Sequence, residues 1–401
     1  MNTSTLEQHL NADNFQEARL LLHKGEKLNQ GIQGHQKSQI FDKLIQKKQF
    51  DIIEHLINDK TIETDIYEFE HFDRSIFQSV VRYLPDDGDS IAFFTTFINN
   101  FDNLNDEVNG QTLLGYFFEQ GMNLHSIEVL IAAGCDPHFK NNAEQNYIHR
   151  VVKLYIRKFN LNDEQLAQLI LGYVDILVAR GVDINEQDVV SKTPLMYAIE
   201  FNKKAYLKHL LELGADPNLV DKDGNSAFYY AVVNLRDQSI YNELAQFATP
   251  DFSVINKAQV NILFEYIRML NGNAERDIIF LKKLIEDGAD LYQSVTHYSK
   301  SVTPLNMIAE KSADVLSAVL DTGAIDINRQ DDRGNTLLHL VCAYNVNYEQ
   351  DKAKETYRKV KLLLEQGADA AITNDDDKTA LMLASDDNLK VKTVELLMKQ
   401  A

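Results

Sequence analysis

The pattern of apolar and polar positions between residues 193 and 216 predicts two short helices joined by a turn. Thr193 followed by Pro194 is typical of a helix N-cap with proline at the first helical position, so the first helix should run from Pro194 to about Phe201. The second helix carries one apolar stripe, formed by Leu207, Leu210 and Leu211. Gly214 stands where a left-handed residue would end this helix. Both helices are too short to be stable alone, so each must pack against the other and against a neighbouring pair.

The same unit recurs along the chain. Thr193 to Ser226 and Thr303 to Thr336 are both steps of 33 residues, and Thr336 to Thr379 is a step of 43. The tetrapeptides that start the first helix are TLLG at 112, NYIH at 146, TPLM at 193, SAFY at 226, TPLN at 303, TLLH at 336 and TALM at 379. The segments that end the second helix are GCDP at 134, GVDIN at 181, GADPN at 214, GADL at 288, GAIDIN at 323 and GADA at 367. A period of this size indicates a repeat architecture.

A 33-residue period with these starts and ends resembles the ankyrin repeat family, clearly so over residues 107–401. The resemblance implies an all-α solenoid of about eleven helix-turn-helix units with short β-hairpin fingers. Residues 1–106 match only through apolar helical pairs at about 5–24, 38–57 and 75–98. We interpret them as degenerate repeats, and the alternative is a separate small helical domain.

Three stretches depart from the regular period within the repeat domain, at 153–166, 234–276 and 343–360. The step of 77 residues from Ser226 to Thr303 predicts a degenerate pair of units across the second stretch. The other two are too short for inserted domains, so we expect them to lengthen helices or to form protruding loops.

Acidic residues dominate the charge of the chain. Forty Lys and Arg stand against 60 Asp and Glu, which gives a formal net charge of −20 and argues against binding of nucleic acid or anionic lipid. Residues 63–107 hold eleven acids and two bases, so a partner with a basic surface could dock there, although a solvated charged face is the plainer interpretation.

The first residues, MNTSTLEQHLNADNF, lack the pattern of a cleavable signal peptide, and the longest uncharged stretch, at 90–101, is too short to span a bilayer. Two cysteines far apart do not form a disulfide framework. We therefore expect a cytoplasmic protein without membrane insertion, and we expect a monomer. Many Asn, Gln, Lys and Ile with no Trp are typical of an AT-rich bacterial genome, and by analogy such an ankyrin protein could be secreted into a host cell as an effector.

Candidate chemistry is sparse. Cys135 with His138 and Cys342 with His339 have the spacing from which a thiol enzyme could be argued, but in the repeat both cysteines occupy small buried positions. The acidic loops do not have the spacing of a calcium site, and the common enzyme signatures do not occur, so we expect no cofactor, no metal and no catalytic residue. The alternative is an enzyme with an unrecognised site in the N-terminal third or around Cys135 and His138.

Two further sets of residues have roles that the resemblance implies. His149 and His339 end T-P-L-H-like tetrapeptides, where the ankyrin imidazole bridges backbone groups of adjacent loops. Asn185, Asn218 and Asn328 end the G-x-D-x-N turn, where ankyrin asparagines can be hydroxylated. We favour a structural role in which these asparagines bond their own turn.

The resemblance also implies that a protein partner binds the concave surface through finger tips and the ends of the first helices. In this chain those positions are Val189, Val190, Lys192, Glu200, Phe201, Lys222, Asp223, Asn225, Lys300, Arg333, Asn335 and Tyr344. Since the chain has no Trp, we expect the strongest contributions from Phe201, Arg333 and Tyr344. The sequence thus predicts a non-enzymatic protein–protein interaction scaffold.

Overall fold

A computed structural model describes residues 5–29, 31–156, 161–272 and 274–400. Over these residues, short helices follow one another in eleven pairs, as the repeat pattern predicts. The chain forms two compact units, Met1–Ala215 and Asp216–Ala401. The sequence-based boundary between residues 106 and 107 separates degenerate from regular repeats and does not concern these two units. It stays a prediction.

The first unit contains six helix pairs. Their helices are α1 Thr5–Asn11, α2 Phe15–His23, α3 Gly34–Gln46, α4 Phe50–Asn58, α5 Ile76–Tyr83, α6 Gly88–Ile98, α7 Leu113–Glu119, α8 Leu124–Ala132, α9 Tyr147–Val151, α10 Asp163–Ala179, α11 Pro194–Glu200 and α12 Lys204–Glu212. The three pairs before residue 100 match the predicted apolar pairs, although they lack the threonine and glycine landmarks.

The second unit contains five pairs. Their helices are α13 Ala227–Tyr229, which continues as a π-helical turn over Tyr230–Asn234, α14 Gln238–Ala245, α15 Ile262–Met269, α16 Glu275–Glu286, α17 Pro304–Glu310, α18 Ala313–Leu320, α19 Leu337–Ala343, α20 Gln350–Glu365, α21 Ala380–Ser385 and α22 Val391–Met398. The degenerate pair predicted across 234–276 is present, because α14, α15 and α16 fall where the apolar pattern places them.

Stacking in two layers buries the apolar stripes. In the second unit the first helices α15, α17, α19 and α21 contact one another in succession, and so do the second helices α16, α18, α20 and α22. Leu207, Leu210 and Leu211, the predicted stripe of α12, are all buried. Apolar burial on both layers supplies the main stabilisation, because helices of this length are marginal alone.

Helix ends follow the predicted capping. The Thr193 hydroxyl accepts a hydrogen bond from the backbone N–H of Met196, and Pro194 is the first residue of α11. Gly214 has φ +94°, and its N–H donates to the carbonyl of Leu211, which ends α12 in the left-handed conformation that glycine adopts at low cost.

Two insertions lengthen helices. Over 343–360 the extra residues form a loop and then the first turns of α20, a helix of 16 residues. Over 153–166 they lead into α10, which has 17 residues and begins with an Asn162 capping box. Residues 157–160 of this stretch lie outside the described part of the chain.

The fingers contain fewer strand residues than the term β-hairpin suggests. Among the described residues, one finger is a two-stranded hairpin, β1 Val295–His297 paired antiparallel with β2 Lys300–Val302. Three others close with a single antiparallel bridge, at Val108–Gln111, Val220–Ser226 and Thr373–Thr379. Two of these three bridges, Val220–Ser226 and Thr373–Thr379, enclose a tight five-residue turn that recurs at other finger tips.

Candidate protein-binding surface

An acidic or amide side chain at the first position fixes six of the described finger tips. One oxygen of Asp188 accepts hydrogen bonds from the N–H groups of Val190 and Lys192, both at 3.0 Å, while the Asp188 N–H donates to the Lys192 carbonyl. The same five-residue turn occurs at Asn141–Gln145, Asp221–Asn225, Asn256–Val260, Asp331–Asn335 and Asn374–Lys378. Such side-chain bonds to the local backbone stabilise turns, so the tips are held in one shape.

Successive finger tips within each unit are also joined to one another. The N–H of Val189 donates to the Ala143 carbonyl at 3.1 Å, and in the second unit the N–H of Asp375 donates to the Arg333 carbonyl at 3.0 Å. The turn residue Gly334 has φ +72°, and a Cβ there would lie 2.7 Å from an Asp375 carboxylate oxygen. The close approach of these two fingers therefore requires glycine.

Five of the predicted partner-binding residues lie together on one repeat of the first unit. Val189 and Val190 at the finger tip are 52% and 39% exposed, and Phe201 at the end of α11 is 51% exposed. Between them, the Lys192 ammonium forms an ion pair with the Glu200 carboxylate at 2.9 Å. Exposed apolar side chains thus flank a charged pair.

Tyr197 connects this surface to the rest of the repeat. Its hydroxyl donates a 2.6 Å hydrogen bond to Asp188, and the Gln145 amide donates to both residues. The ammonium of Lys153 lies 4.3 Å from the centre of the Tyr197 ring, and the Phe201 ring lies 6.3 Å from it. The exposed positions on this face are therefore supported by a polar network at the base of the finger.

The network changes the pKa values of its members. Burial raises the pKa of the Tyr197 phenol, and the hydrogen bond to Asp188 raises it further, so it stays a donor. Burial alone would raise the pKa of Asp188, but hydrogen bonds from Gln145, Tyr197 and the turn N–H groups hold it below its ordinary range. Asp188 is therefore ionised at neutral pH, and its bonds in the finger are charge-assisted.

In the second unit, Lys222, Asp223 and Asn225 share one finger tip. Lys222 and Asp223 are exposed, and Asn225 is half-buried. The Asp223 carbonyl accepts from the Lys257 N–H at 2.8 Å, and the Asn225 side-chain oxygen accepts from the Asn256 amide at 3.0 Å. Asn225 thus joins neighbouring fingers, while Lys222 and the Asp223 carboxylate face solvent.

Lys300, Arg333 and Asn335 line one small cavity of about 150 Å³ between the hairpin β1–β2 and the next finger. Asn335 bridges to the amide of Asn374 at 2.8 Å. Tyr344 lies apart from this cavity, is half-buried, and has the ammonium of Lys359 5.3 Å from its ring centre. The twelve predicted residues thus occupy one group in the first unit and three positions in the second, and binding by any of them stays a prediction.

Sequence reasoning did not single out Tyr197, Asp188, Gln145 or Lys153. A tyrosine four residues after the helix-start threonine or serine recurs at Tyr230, whose hydroxyl donates to Asp221 at 2.7 Å. An acid at the first finger position with a tyrosine nine residues later is the signal that could have identified the pair.

The two predicted bridging histidines have the expected contacts. In His339, Nδ1 accepts from the Thr336 N–H and Nε2 donates to the Lys378 carbonyl. In His149, Nε2 donates to the Lys192 carbonyl at 3.0 Å, and Nδ1 lies 2.8 Å from the Asn146 side-chain oxygen. Burial lowers the pKa of both imidazoles. They are neutral structural groups that connect one repeat to the next finger.

The asparagines of the G-x-D-x-N turns were predicted to bond their own turn, and this prediction is wrong. The side-chain amides of Asn185, Asn218 and Asn328 donate to the carbonyls of Gly214, Thr249 and Gly367, each about one repeat further along the chain. The N–H groups of Asn185 and Asn218 donate to the carboxylates of Asp183 and Asp216, two residues earlier. The asparagine side chain is therefore directed to the next turn, and Asn105 joins Gly134 in the same way.

The cysteines are unsuited to catalysis. Cys135 and Cys342 are buried, and burial raises the pKa of each thiol to about 12. His138, the candidate base for a Cys135 nucleophile, is exposed. Because the thiolate is the reactive form, the thiol version of the enzyme hypothesis has no support in this geometry.

Among the described residues, no group of three or more His, Cys, Asp and Glu side chains could hold a metal ion. A search of the same residues finds no helix with the length and apolar character needed to cross a membrane.

Comparisons with known proteins agree with this geometry. A family model described as ankyrin repeats (3 copies) matches residues 164–254. An ankyrin repeat protein of Acanthamoeba polyphaga mimivirus is 25% identical over 222 residues, which are 53% of this chain and 26% of that protein. An ankyrin repeat protein of Fowlpox virus (strain NVSL) is 26% identical over 242 residues, 59% of this chain and 36% of that protein.

The chain therefore spans about a third or less of the length of these relatives. Among solved structures, the ankyrin repeat domain of Bcl-3 aligns with a TM-score of 0.48 and 20% identity, over 63% of this chain and 98% of that one. Residues 164–254 match the ankyrin repeat family, and the helix pairs, capped turns and bridging histidines that recur at its period in both units give the chain the ankyrin repeat fold.

Proposed function

We propose that this protein is a scaffold that binds a protein partner on the surface formed by Val189, Val190, Lys192, Glu200 and Phe201, here named the α11 surface. Ankyrin repeats act as protein–protein interaction modules, and the two buried thiols of this chain are unsuited to nucleophilic catalysis. The observation that carries the proposal is the exposure of three large apolar side chains around one ion pair, on a finger that the Tyr197 network holds rigid.

The chemistry of the α11 surface is that of a protein interface. Apolar side chains supply contact area, and a central ion pair that loses water on binding supplies specificity. Because the finger turn and the network already fix the side chains that bind, little conformational entropy is lost when a partner docks.

A quantitative pull-down tests the proposal. The double variant Val189→Ser/Phe201→Ala is compared with the wild type and with Ile279→Ala, which removes an equally exposed apolar side chain from α16. We expect the double variant to lose at least about tenfold in recovery of a specific partner, because two buried contacts contribute roughly 1 to 2 kcal/mol each. Equal recovery by all three forms would exclude the α11 surface.

The other seven residues on the second unit are proposed as additional contacts for the same partner or for a second one. The subcellular location, the monomeric state and delivery into a host cell stay predictions.

A further inference from the structure

The connection between α4 and α5 differs from the finger turns of the later repeats. It contains two short 3₁₀ turns, Ile66–Glu68 and Phe72–Arg74. Backbone hydrogen bonds hold it against the end of the next helix pair, from Ile66 to the Asp102 carbonyl at 3.2 Å and from Asp102 to the Thr64 carbonyl at 2.9 Å. The connection is thus a fixed part of the first unit.

This connection, α3 and the start of α5 line an open cavity of about 250 Å³, here named the N-terminal cavity. Apolar side chains line it: Phe41, Ile62, Phe69 and Ile76. A cavity of about 150 Å³ with apolar walls can hold a benzene molecule, so this one has room for a large apolar side chain. Neither the repeat pattern nor the α11 surface accounts for it.

Acidic side chains dominate the rim of the N-terminal cavity. Glu63, Glu68 and Glu70 lie on it and are exposed. Two bases stand against these three acids: Arg74 is exposed, whereas the Lys37 ammonium donates to the Thr61 carbonyl at 2.8 Å and burial lowers its pKa. Eight of the thirteen residues that line the cavity belong to the segment 63–107, where eleven acids stand against two bases. A positively charged partner is therefore attracted to this site.

We infer that the N-terminal cavity binds a protein segment in which a bulky apolar side chain is flanked by Lys or Arg residues. The apolar side chain fills the space over Phe41 and Phe69, and the flanking cations meet Glu68 and Glu70. Charge complementarity selects this occupant over nucleic acid or anionic lipid, which the same carboxylates repel.

Fluorescence anisotropy with the full chain tests this inference. The probe is a fluorescein-labelled peptide in which lysine runs flank a single phenylalanine, and the comparison peptide carries serine in place of phenylalanine. We expect the serine peptide to bind at least about tenfold more weakly, because it leaves the apolar cavity unfilled. Equal affinity of both peptides would show attraction by charge alone and would overturn the proposal.

A charge-reversal variant and its matched control locate the site. Glu68→Lys/Glu70→Lys is compared with Glu128→Lys/Glu164→Lys, two exposed positions on α8 and α10 of the same unit. Both variants change the net charge equally, and we expect about a tenfold loss for the first and less than about threefold for the second. Equal losses would mean that the peptide affinity depends only on the net charge of the protein, and this would overturn the proposal.

The variant Ser38→Phe, at a half-buried lining position, tests the apolar component separately. It should weaken the phenylalanine peptide and leave the serine peptide unchanged. A second copy of this chain is the alternative occupant. A rise in mass with concentration in light scattering that Glu68→Lys/Glu70→Lys abolishes would assign the cavity to self-association and overturn the proposal.

Discussion

The Tyr197 hydroxyl donates a 2.6 Å hydrogen bond to Asp188, the residue whose other carboxylate oxygen holds the finger turn. One carboxylate thus joins the first helix of the repeat to the finger that carries Val189 and Val190. This contact holds the backbone of the finger in one conformation, although the two valine side chains are exposed.

Tyr197→Phe should therefore loosen this finger without removing the ring. Loss of a hydrogen bond to a buried charged group costs about 1.5 to 3 kcal/mol in the free energy of unfolding. Urea denaturation measures the cost, and hydrogen exchange should show faster exchange at the amides of Val190 and Lys192. Tyr67→Phe, at an exposed tyrosine, is the control and should stay within about 0.5 kcal/mol. Unchanged exchange at both amides would contradict the role given to Tyr197.

Gly334→Ala should destabilise the fold by more than the cost of placing alanine at a positive φ. Its Cβ would lie 2.7 Å from the Asp375 side chain and 2.9 Å from the Asp375 backbone nitrogen, whereas Gly367, with φ +90°, has open space around the same atom. We expect a loss of about 1 kcal/mol for Gly367→Ala and about 2 to 4 kcal/mol for Gly334→Ala in urea denaturation. Equal losses would mean that the fingers separate easily.

Lys359 should make stability depend on alkaline pH. Its ammonium is buried and donates to the Ala309 carbonyl, and burial lowers the pKa of this lysine from 10.5 to about 8. Between pH 8 and 10.5 the unfolded chain retains a proton that the folded chain has released, so stability rises with pH in this window.

The measurement is the difference in unfolding free energy between the wild type and Lys359→Met at several pH values. The wild type should gain on the order of 1 to 3 kcal/mol relative to the variant as pH rises through the window. Lys361→Met, at an exposed lysine of the same helix, should show no such gain. A constant difference between wild type and Lys359→Met would show that the lysine stays charged.

The two thiols should be unreactive in the folded protein. With pKa values raised to about 12 by burial, Cys135 and Cys342 have almost no thiolate at neutral pH. Ellman's reagent should label neither residue in the native state and both in guanidinium chloride. Rapid native labelling of one thiol would revive the enzyme hypothesis around Cys135 and His138 or Cys342 and His339.

The sequence was sufficient for features that local chemistry determines. Thr193, Pro194 and Gly214 mark helix ends through contacts within a few residues, so their spacing predicts α11 and α12 directly. The apolar period alone placed the helix pairs before residue 100. It could not show the cavity over Phe41, because that depends on how a connection of irregular structure packs.

Contacts between repeats were harder to predict. The partners of Tyr197 and Asn185 depend on which residues the stacking places opposite one another, as when Asn185 reaches Gly214. His149 was predicted correctly because the family resemblance supplied its role, and its partner, the Lys192 carbonyl, lies 43 residues away in sequence. The identity of the partner cannot be predicted from the sequence, because it depends on complementarity to a second molecule.

The most direct test of the account is site-specific photo-crosslinking from the α11 surface. A photoreactive phenylalanine analogue is placed at Phe201 and, as the control, at Ile279, and the full chain is irradiated with a partner recovered in the pull-down. The account predicts a covalent adduct from position 201 that Val189→Ser weakens, and no adduct from position 279. An adduct of equal yield from both positions, or from position 279 alone, would contradict it.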